Sequence, residues 1–351
     1  MSTEVALLAR AVALLGGRGR RLARERSMLV EDARFLERAL IPEIPERVGP
    51  LAASVAYRPA DGPGAGGDFY DVFPLDSGRV AAIVGDVSGH GRAALERATL
   101  MHYTLRAYLE TGLPPRSVLE LADKVRAGGS EGLFATAVIG IYDAAQATLT
   151  YACAGHPPPI VLGTVAHEPV TVCASPPIGL GMPTALRQST IALPAGSTAC
   201  LYTDGVVEAR SGDSLLGRER LAELVEEFGS RATAAELLDR VAIEAGGTPD
   251  DMAACFIRPL EGDSPATLRT EELELRDQAV ARAERFLLAC GVGGSEAQLV
   301  ARSAQDAVRR AGAAVLRISW TGTAIDTEVL PAYEETQHSL SSEPAQAIRA
   351  H

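Results

Sequence analysis

Between residues 20 and 42, Leu22, Leu29 and Leu36 recur every seven positions, with Arg26, Ala33 and Leu40 at the alternate seam. A seven-residue apolar period predicts a helix with one apolar stripe, and three heptads make a short coiled-coil pattern. Two readings stay open: a dimer or switch helix, and an amphipathic helix packed on its own domain. Pro42, Pro45 and Pro50 end the pattern.

From about 51 to 260 the apolar runs come in blocks and not in regular strand–helix alternation, which predicts antiparallel sheets covered by helices. One hairpin joins Phe69–Pro74 to Val80–Val84 around Asp76, Ser77 and Gly78, residues suited to a tight reversal. A second joins Ala135–Tyr142 to Ala147–Cys153 around Asp143–Gln146. Between them Ala93–Leu109 is apolar at helical spacing, and another helix follows Pro114. Beyond Pro259 the pattern changes: two amphipathic helices, about 276–290 and 295–311, precede an apolar strand from Val315 to Trp320. Pro331–His351 has no periodicity and reads as a disordered tail. The division expected is 1–46 helical, 47–260 the main domain, 261–330 a small α/β unit and 331–351 tail.

Composition narrows the function. The chain of 351 residues carries a formal charge of −12, an acidic balance that argues against a nucleic-acid partner. Lys124 is the only lysine, and no Gly-rich loop ends in Lys-Ser/Thr, which removes P-loop nucleotide hydrolysis. Five cysteines scattered singly in apolar runs read as buried thiols in a reducing compartment. Val5–Leu15 is apolar but short, interrupted by Arg10 and preceded by an acid, so a cytoplasmic protein without a membrane span is expected.

The candidate chemistry is acidic. Asp68 precedes the first strand of the first hairpin and Asp86 follows its second, and their numbers average to 77, the centre of the turn. Both carboxylates should therefore emerge at one open end. Thr198–Thr203 ends in Asp204-Gly205, while Asp250 and Asp251 precede the strand Met252–Ile257; if these strands run antiparallel, Asp204 and Asp250 also meet. Converging acids repel unless cations neutralise them, and an all-oxygen set suits Mg²⁺ or Mn²⁺. Each aspartate alone is as well explained by turn closure. The surrounding glycines, Gly66-Gly67 and Ser88-Gly89-His90-Gly91, favour close approach of backbone to an ion or phosphate.

The runs GGDFYD (66–71), GDVSGHG (85–91), FATAVIGIYD (134–143), AGHPPP (154–159), LYTDGVVEAR (201–210) and DDMAACFIR (250–258) resemble the successive motifs of PPM-type phosphatases, in the bacterial SpoIIE-like regulatory branch. The resemblance implies an α+β fold, an αββα sandwich of two antiparallel sheets flanked by helices, with two Mn²⁺ or Mg²⁺ ions. It implies that Asp86 bridges both ions, that the Val87 carbonyl binds one, and that Asp204 and Asp250 complete the other, with Asp68 as the acid near the motif's start. Water between the ions would attack phosphorus, with no protein nucleophile. The substrate implied is a phosphorylated STAS-domain anti-anti-sigma protein. Where the family often has Thr, this chain has Ala253.

Asp71, His90, His156 and Asp251 are secondary candidates. Asp71 holds metal-bound water or is a strand-surface acid; His90 and His156 touch phosphate or donate a proton, or else pack within glycine- and proline-rich turns. Residues 270–330 resemble the first half of a histidine-kinase-like ATPase domain, but Arg310 stands where Mg²⁺ binding needs Asn and the glycine-rich lid is missing, which implies a non-catalytic docking or dimerisation unit. Three functions compete: an active phosphatase, a pseudo-phosphatase scaffold, and an ATP-dependent anti-sigma kinase. The third fails on Arg310, and the filled metal positions favour the first over the second.

Overall fold

The computed structural model of the protein describes residues 42–332 apart from 61–65, 90, 127–133, 164–166, 168, 173, 213, 249, 262–266, 277–278 and 322–323. The heptad segment before Pro42, the dimer proposal it carries and the tail beyond Ala332 lie outside the described residues. In chain order come β1 (Arg47–Val48), β2 (Leu51–Arg58), β3 (Phe69–Pro74), β4 (Arg79–Val87), α1 (Arg92–Glu110), α2 (Pro115–Arg126), β5 (Ala135–Asp143), β6 (Thr148–Ala154), β7 (Ile160–Leu162), β8 (Arg187–Ala192) and β9 (Thr198–Tyr202). Then follow α3 (Asp204–Glu208), β10 (Arg210–Ser211), β11 (Ser214–Leu215), α4 (Gly217–Phe228), α5 (Ala234–Ala245) and β12 (Met252–Pro259). The chain adds β13 (Thr267–Leu275), α6 (Ala279–Ala289), α7 (Gly294–Ala311), β14 (Ala314–Thr321) and β15 (Ala324–Pro331).

Two antiparallel sheets stack. One has five strands in the order β1-β2-β12-β9-β7, the other eight in the order β15-β14-β13-β8-β6-β5-β4-β3. The period-2 alternation along β4 shows how the layers form: Ala81 and Ile83 pack under α1 and α2 with Met101, Leu105 and Leu119, while Val80, Ala82 and Val84 face the other sheet with Leu51, Leu201 and Ile257. On the far side α4 and α5 bring Leu221, Leu224, Leu237 and Val241 onto Tyr202 and Phe256. The result is the αββα sandwich, with both expected hairpins and both expected helices in place. Asp76–Gly78 forms a single 3-10 turn, and the left-handed backbone of Ser77 and Gly78, at φ 62° and 76°, makes that reversal tight.

Residues 261–330 share a sheet with the main domain. The register pairs Arg187 with Leu273 and Ser189 with Glu271, so β13 adds directly to the edge of β8. Paired residues share a face, which places Leu273, Leu275, Leu316 and Ile318 on the same face as Tyr151. There they pack with Ala283, Phe286, Ala301 and Ala304 of α6 and α7. The two C-terminal helices therefore lie beside the five-stranded sheet on one face of the eight-stranded sheet. The opposite face is tied down by Arg116 on Glu274 at 2.7 Å and Arg276 on Glu120 at 2.9 Å. No described helix is long and apolar enough to cross a membrane.

Candidate metal centre

The β3–β4 register pairs Phe69 with Gly85, so Asp68 and Asp86, one step further, stand opposite each other at the open end of the hairpin. The Val87 N–H donates to the Gly67 carbonyl at 3.1 Å and continues the pairing past Asp68. In the five-stranded sheet β9 and β12 run antiparallel with Tyr202 opposite Ala254, which carries Asp204 and the Asp250-Asp251 pair to the same edge. Asp204 opens α3, and its Oδ1 accepts the Gly205 N–H at 3.0 Å; Asp250 Oδ1 accepts the Asp251 N–H at 2.8 Å. Asp251 Oδ1 accepts both the Tyr57 hydroxyl at 3.1 Å and the Ala60 N–H at 2.8 Å, so it is anchored to β2.

Thr203 links the two edges. Its hydroxyl donates to Asp68 Oδ2 at 2.9 Å and accepts the Ala253 N–H at 2.9 Å. His156 makes a second link: its Nε2 donates to the Tyr202 carbonyl at 2.9 Å, which leaves Nδ1 to accept the Thr136 hydroxyl at 2.9 Å. Thr136 is the β5 partner of Asp86, and Tyr202 lies two residues before Asp204. Burial holds His156 down to about 4, the Tyr202 carbonyl opposing weakly, so the ring is neutral.

Electrostatics mark the edge as unfinished by protein alone. Asp68 is driven well above the usual carboxylate range by burial and then by Asp86, with Asp251 and Asp204 adding to the rise and Thr203 opposing it. Asp86 is pushed up to about 7 by burial, then by Asp204, Asp250 and Asp251. Asp204 rises through burial and Asp250. Among the described residues no three metal-binding side chains already close around one point. The donor set nevertheless fits hard divalent cations: it is all oxygen, its carboxylates raise one another, and glycine keeps the approach open. A Cβ on Gly67 would stand 2.3 Å from the Val87 carbonyl oxygen and 2.6 Å from Asp86 Oδ1, and one on Gly66 2.2 Å from Asp251 Oδ2.

The secondary candidates separate. Asp71 lies away from this edge, buried under α1, where its Oδ2 accepts His102 Nε2 at 2.8 Å and Arg106 at 2.7 Å. His156 stands between the sheets, and His90 lies outside the described residues. Four residues at or beside the edge were missed from sequence: Thr203, Thr136, Tyr57 and Glu208. Glu208 sits four residues after Asp204 on α3, and burial together with Asp204 and Asp250 raises its carboxyl. That i, i+4 spacing was the available signal, hidden because α3 has only five residues. Nothing local marks the other three.

Residues 76–259 match the family described as Stage II sporulation protein E (SpoIIE). Protein IcfG of Synechocystis is 26% identical over 213 residues, which cover 52% of this chain and 33% of that protein. Phosphoserine phosphatase RsbU of Bacillus subtilis is 28% identical over 163 residues, covering 46% of this chain and 48% of its own. The chain thus spans at most about half the length of these curated relatives. Among solved structures, the RsbU and RsbW domains of a Mycobacterium tuberculosis protein share the fold with a TM-score of 0.54 at 22% identity, over 80% of this chain and 84% of that one.

Proposed function

The chain belongs to the SpoIIE family, and from that premise we propose that residues 47–260 form a metal-dependent protein serine/threonine phosphatase acting on a phosphorylated STAS-domain anti-anti-sigma protein. The observation that carries this reading is the meeting of Asp68 and Asp86 from one sheet with Asp204, Asp250 and Asp251 from the other, where burial and then the acids of the five-stranded edge raise the Asp86 carboxyl, and Asp251 and Asp204 add to the rise of Asp68. Two Mn²⁺ or Mg²⁺ ions would be held by Asp86, the Val87 carbonyl, Asp204 and Asp250, with Asp68 alongside. Bound there, such ions lower the pKa of water toward neutrality and offset charge on phosphoryl oxygens.

The protein's own residues do the positioning. Thr203 fixes Asp68, and Tyr57 with the Ala60 N–H fixes Asp251. Gly66 and Gly67 keep Cβ atoms out of the space between these acids. His156 has both nitrogens engaged and is neutral at physiological pH, so it does not supply the proton that the departing serine oxygen needs. Residues 261–330 act as a non-catalytic unit, since Arg310 replaces the Asn that nucleotide binding would require.

The test is release of phosphate from a phosphoserine STAS protein by the full chain with Mn²⁺, with chelator and after Mn²⁺ is restored. No turnover with either Mn²⁺ or Mg²⁺ would leave the chain a binding scaffold.

A further inference from the structure

Between the five-stranded sheet and α6 and α7, the shared face of the eight-stranded sheet at β6 and β8 is roofed by a loop that includes Pro169, Val170 and Thr171. A cavity of about 420 Å³ lies beneath that loop. Its floor is Tyr151 and Cys153 of β6 with Arg187 and Ser189 of β8, which the register places on one face. Its outer end is Asp204 and Glu208 of α3, so the cavity opens onto the candidate metal edge and shares a wall with it. Ala152, Pro157, Pro158, Pro169, Val170 and Val207 make most of the remainder apolar.

The roof is fastened, so the cavity is preformed. Arg187 donates through Nη1 to the carbonyls of Val170 and Val172, and through Nη2 to Glu271 at 2.9 Å, which holds the 170–172 stretch onto β8. Glu271 is fully buried and also takes Arg269 at 2.8 Å and Ser189 at 2.6 Å. Two guanidiniums around one carboxylate leave the inner end positive, which disfavours a cationic occupant.

We propose that this cavity is the specificity pocket of the phosphatase, receiving an apolar side chain that flanks the phosphoserine of the substrate protein. The proposal rests on the phosphatase reading above. The shared Asp204 wall is its geometric ground: a segment whose phosphate sits at the metal edge passes the cavity mouth, and a Leu, Met or Phe a few residues away drops into it. The apolar walls and the positive inner end select such a side chain over Lys or Arg.

The full chain with Mn²⁺ is assayed on p-nitrophenyl phosphate and on phosphoserine peptides in which each flanking position in turn is Leu, Ser or Lys. One position should show kcat/KM higher for Leu than for Ser by about tenfold to a hundredfold, the factor that burying one such side chain supplies. Thr171→Trp and Ala174→Trp, at exposed positions on the rim, should each bring that ratio close to unity, chiefly through KM, and leave p-nitrophenyl phosphate turnover unchanged. A flat peptide profile in the native protein overturns the proposal, as does a preference that survives both substitutions or a loss shared equally by p-nitrophenyl phosphate. Absence of p-nitrophenyl phosphate turnover in the native protein removes the phosphatase reading itself, and the pocket assignment with it.

Discussion

The Thr203 hydroxyl reaches from the five-stranded sheet to Asp68 Oδ2 on the eight-stranded sheet, 2.9 Å away, while accepting the N–H of Ala253. Replacing it by valine keeps the shape and strands both partners. Thr203→Val should lower stability by about 1–3 kcal/mol, as expected for buried groups left unpaired, and weaken Mn²⁺ binding as Asp68 loses its fixed rotamer. Thr203→Ser should restore both. Urea unfolding and titration calorimetry measure the two effects; unaltered Mn²⁺ affinity in the valine variant would remove Thr203 from the site.

Asp86→Asn and Asp204→Asn should each reduce Mn²⁺-dependent phosphate release by roughly a hundredfold or more, since even residues behind metal ligands are commonly worth tenfold to a hundredfold. In the metal-free protein neither should lower the melting temperature, because each deletes a carboxylate that its neighbours repel. Circular dichroism and a melting curve in chelator check this. A collapsed fold would mean that these aspartates are structural.

Without cations, folding raises Asp86 to about 7, so the folded chain holds a proton that the unfolded chain has released between the ordinary carboxylate value and pH 7. That contribution is present at low pH and is lost as pH rises toward 7 and beyond. Divalent ions bind the ionised form, so they reverse the trend. The Mn²⁺-induced rise in melting temperature should therefore be larger at pH 8 than at pH 5.5, approaching the gain of about 3 kcal/mol expected at a hundredfold excess over Kd. An equal rise at both pH values would count against carboxylate ligation.

His156 has the opposite sign. Its folded value falls to about 4, so between the ordinary histidine value and pH 4 the unfolded chain binds the additional proton, and stability drops as the solution is acidified. Each such proton contributes about 1.4 kcal/mol per pH unit inside that window. His167, lowered to about 3, adds in the same direction. His156→Leu should flatten part of the slope and lower stability at pH 7.5 by about 2–4 kcal/mol, leaving the Tyr202 carbonyl and the Thr136 hydroxyl unpaired. Denaturant midpoints across this range decide it, and an unchanged slope would be inconsistent with a neutral buried ring.

Glu271→Gln removes the one carboxylate that Arg187 and Arg269 share. Breaking such buried pairing costs about 3–5 kcal/mol, and because β13 and β8 belong to one sheet the loss should appear in a single unfolding transition of the whole chain. Calorimetry showing a separate early transition for the C-terminal part would refute that coupling.

The hairpin that places Asp68 against Asp86 was legible because its turn, Asp76-Ser77-Gly78, is local and fixes the register by counting. The meeting of Asp204 with Asp250 needed one added assumption, antiparallel β9 and β12, which the pairing bears out. β13 was not legible. Its TEELEL stretch carries Glu271, Glu272 and Glu274, polar enough to suggest a surface, yet all three are buried. They are satisfied by Arg187, Arg317 and Arg116, up to 158 positions away in sequence. His156 and Thr203 were hard to interpret for the same reason: each joins two sheets, and a single polar residue carries no sign of partners that only the stacking of layers supplies.

The addition of β13 to β8 also sets a timetable for synthesis. The ribosome makes β8 more than seventy residues before β13, so at translation rates of roughly 5–20 residues per second the edge of the nascent sheet waits on the order of ten seconds for its final neighbour. During that interval it offers unpaired N–H and carbonyl groups to any other nascent chain. The sequence RQSTIA of this strand begins with a charge and polar side chains, a composition that keeps the waiting edge from sticking to another copy before its own C-terminal strand arrives.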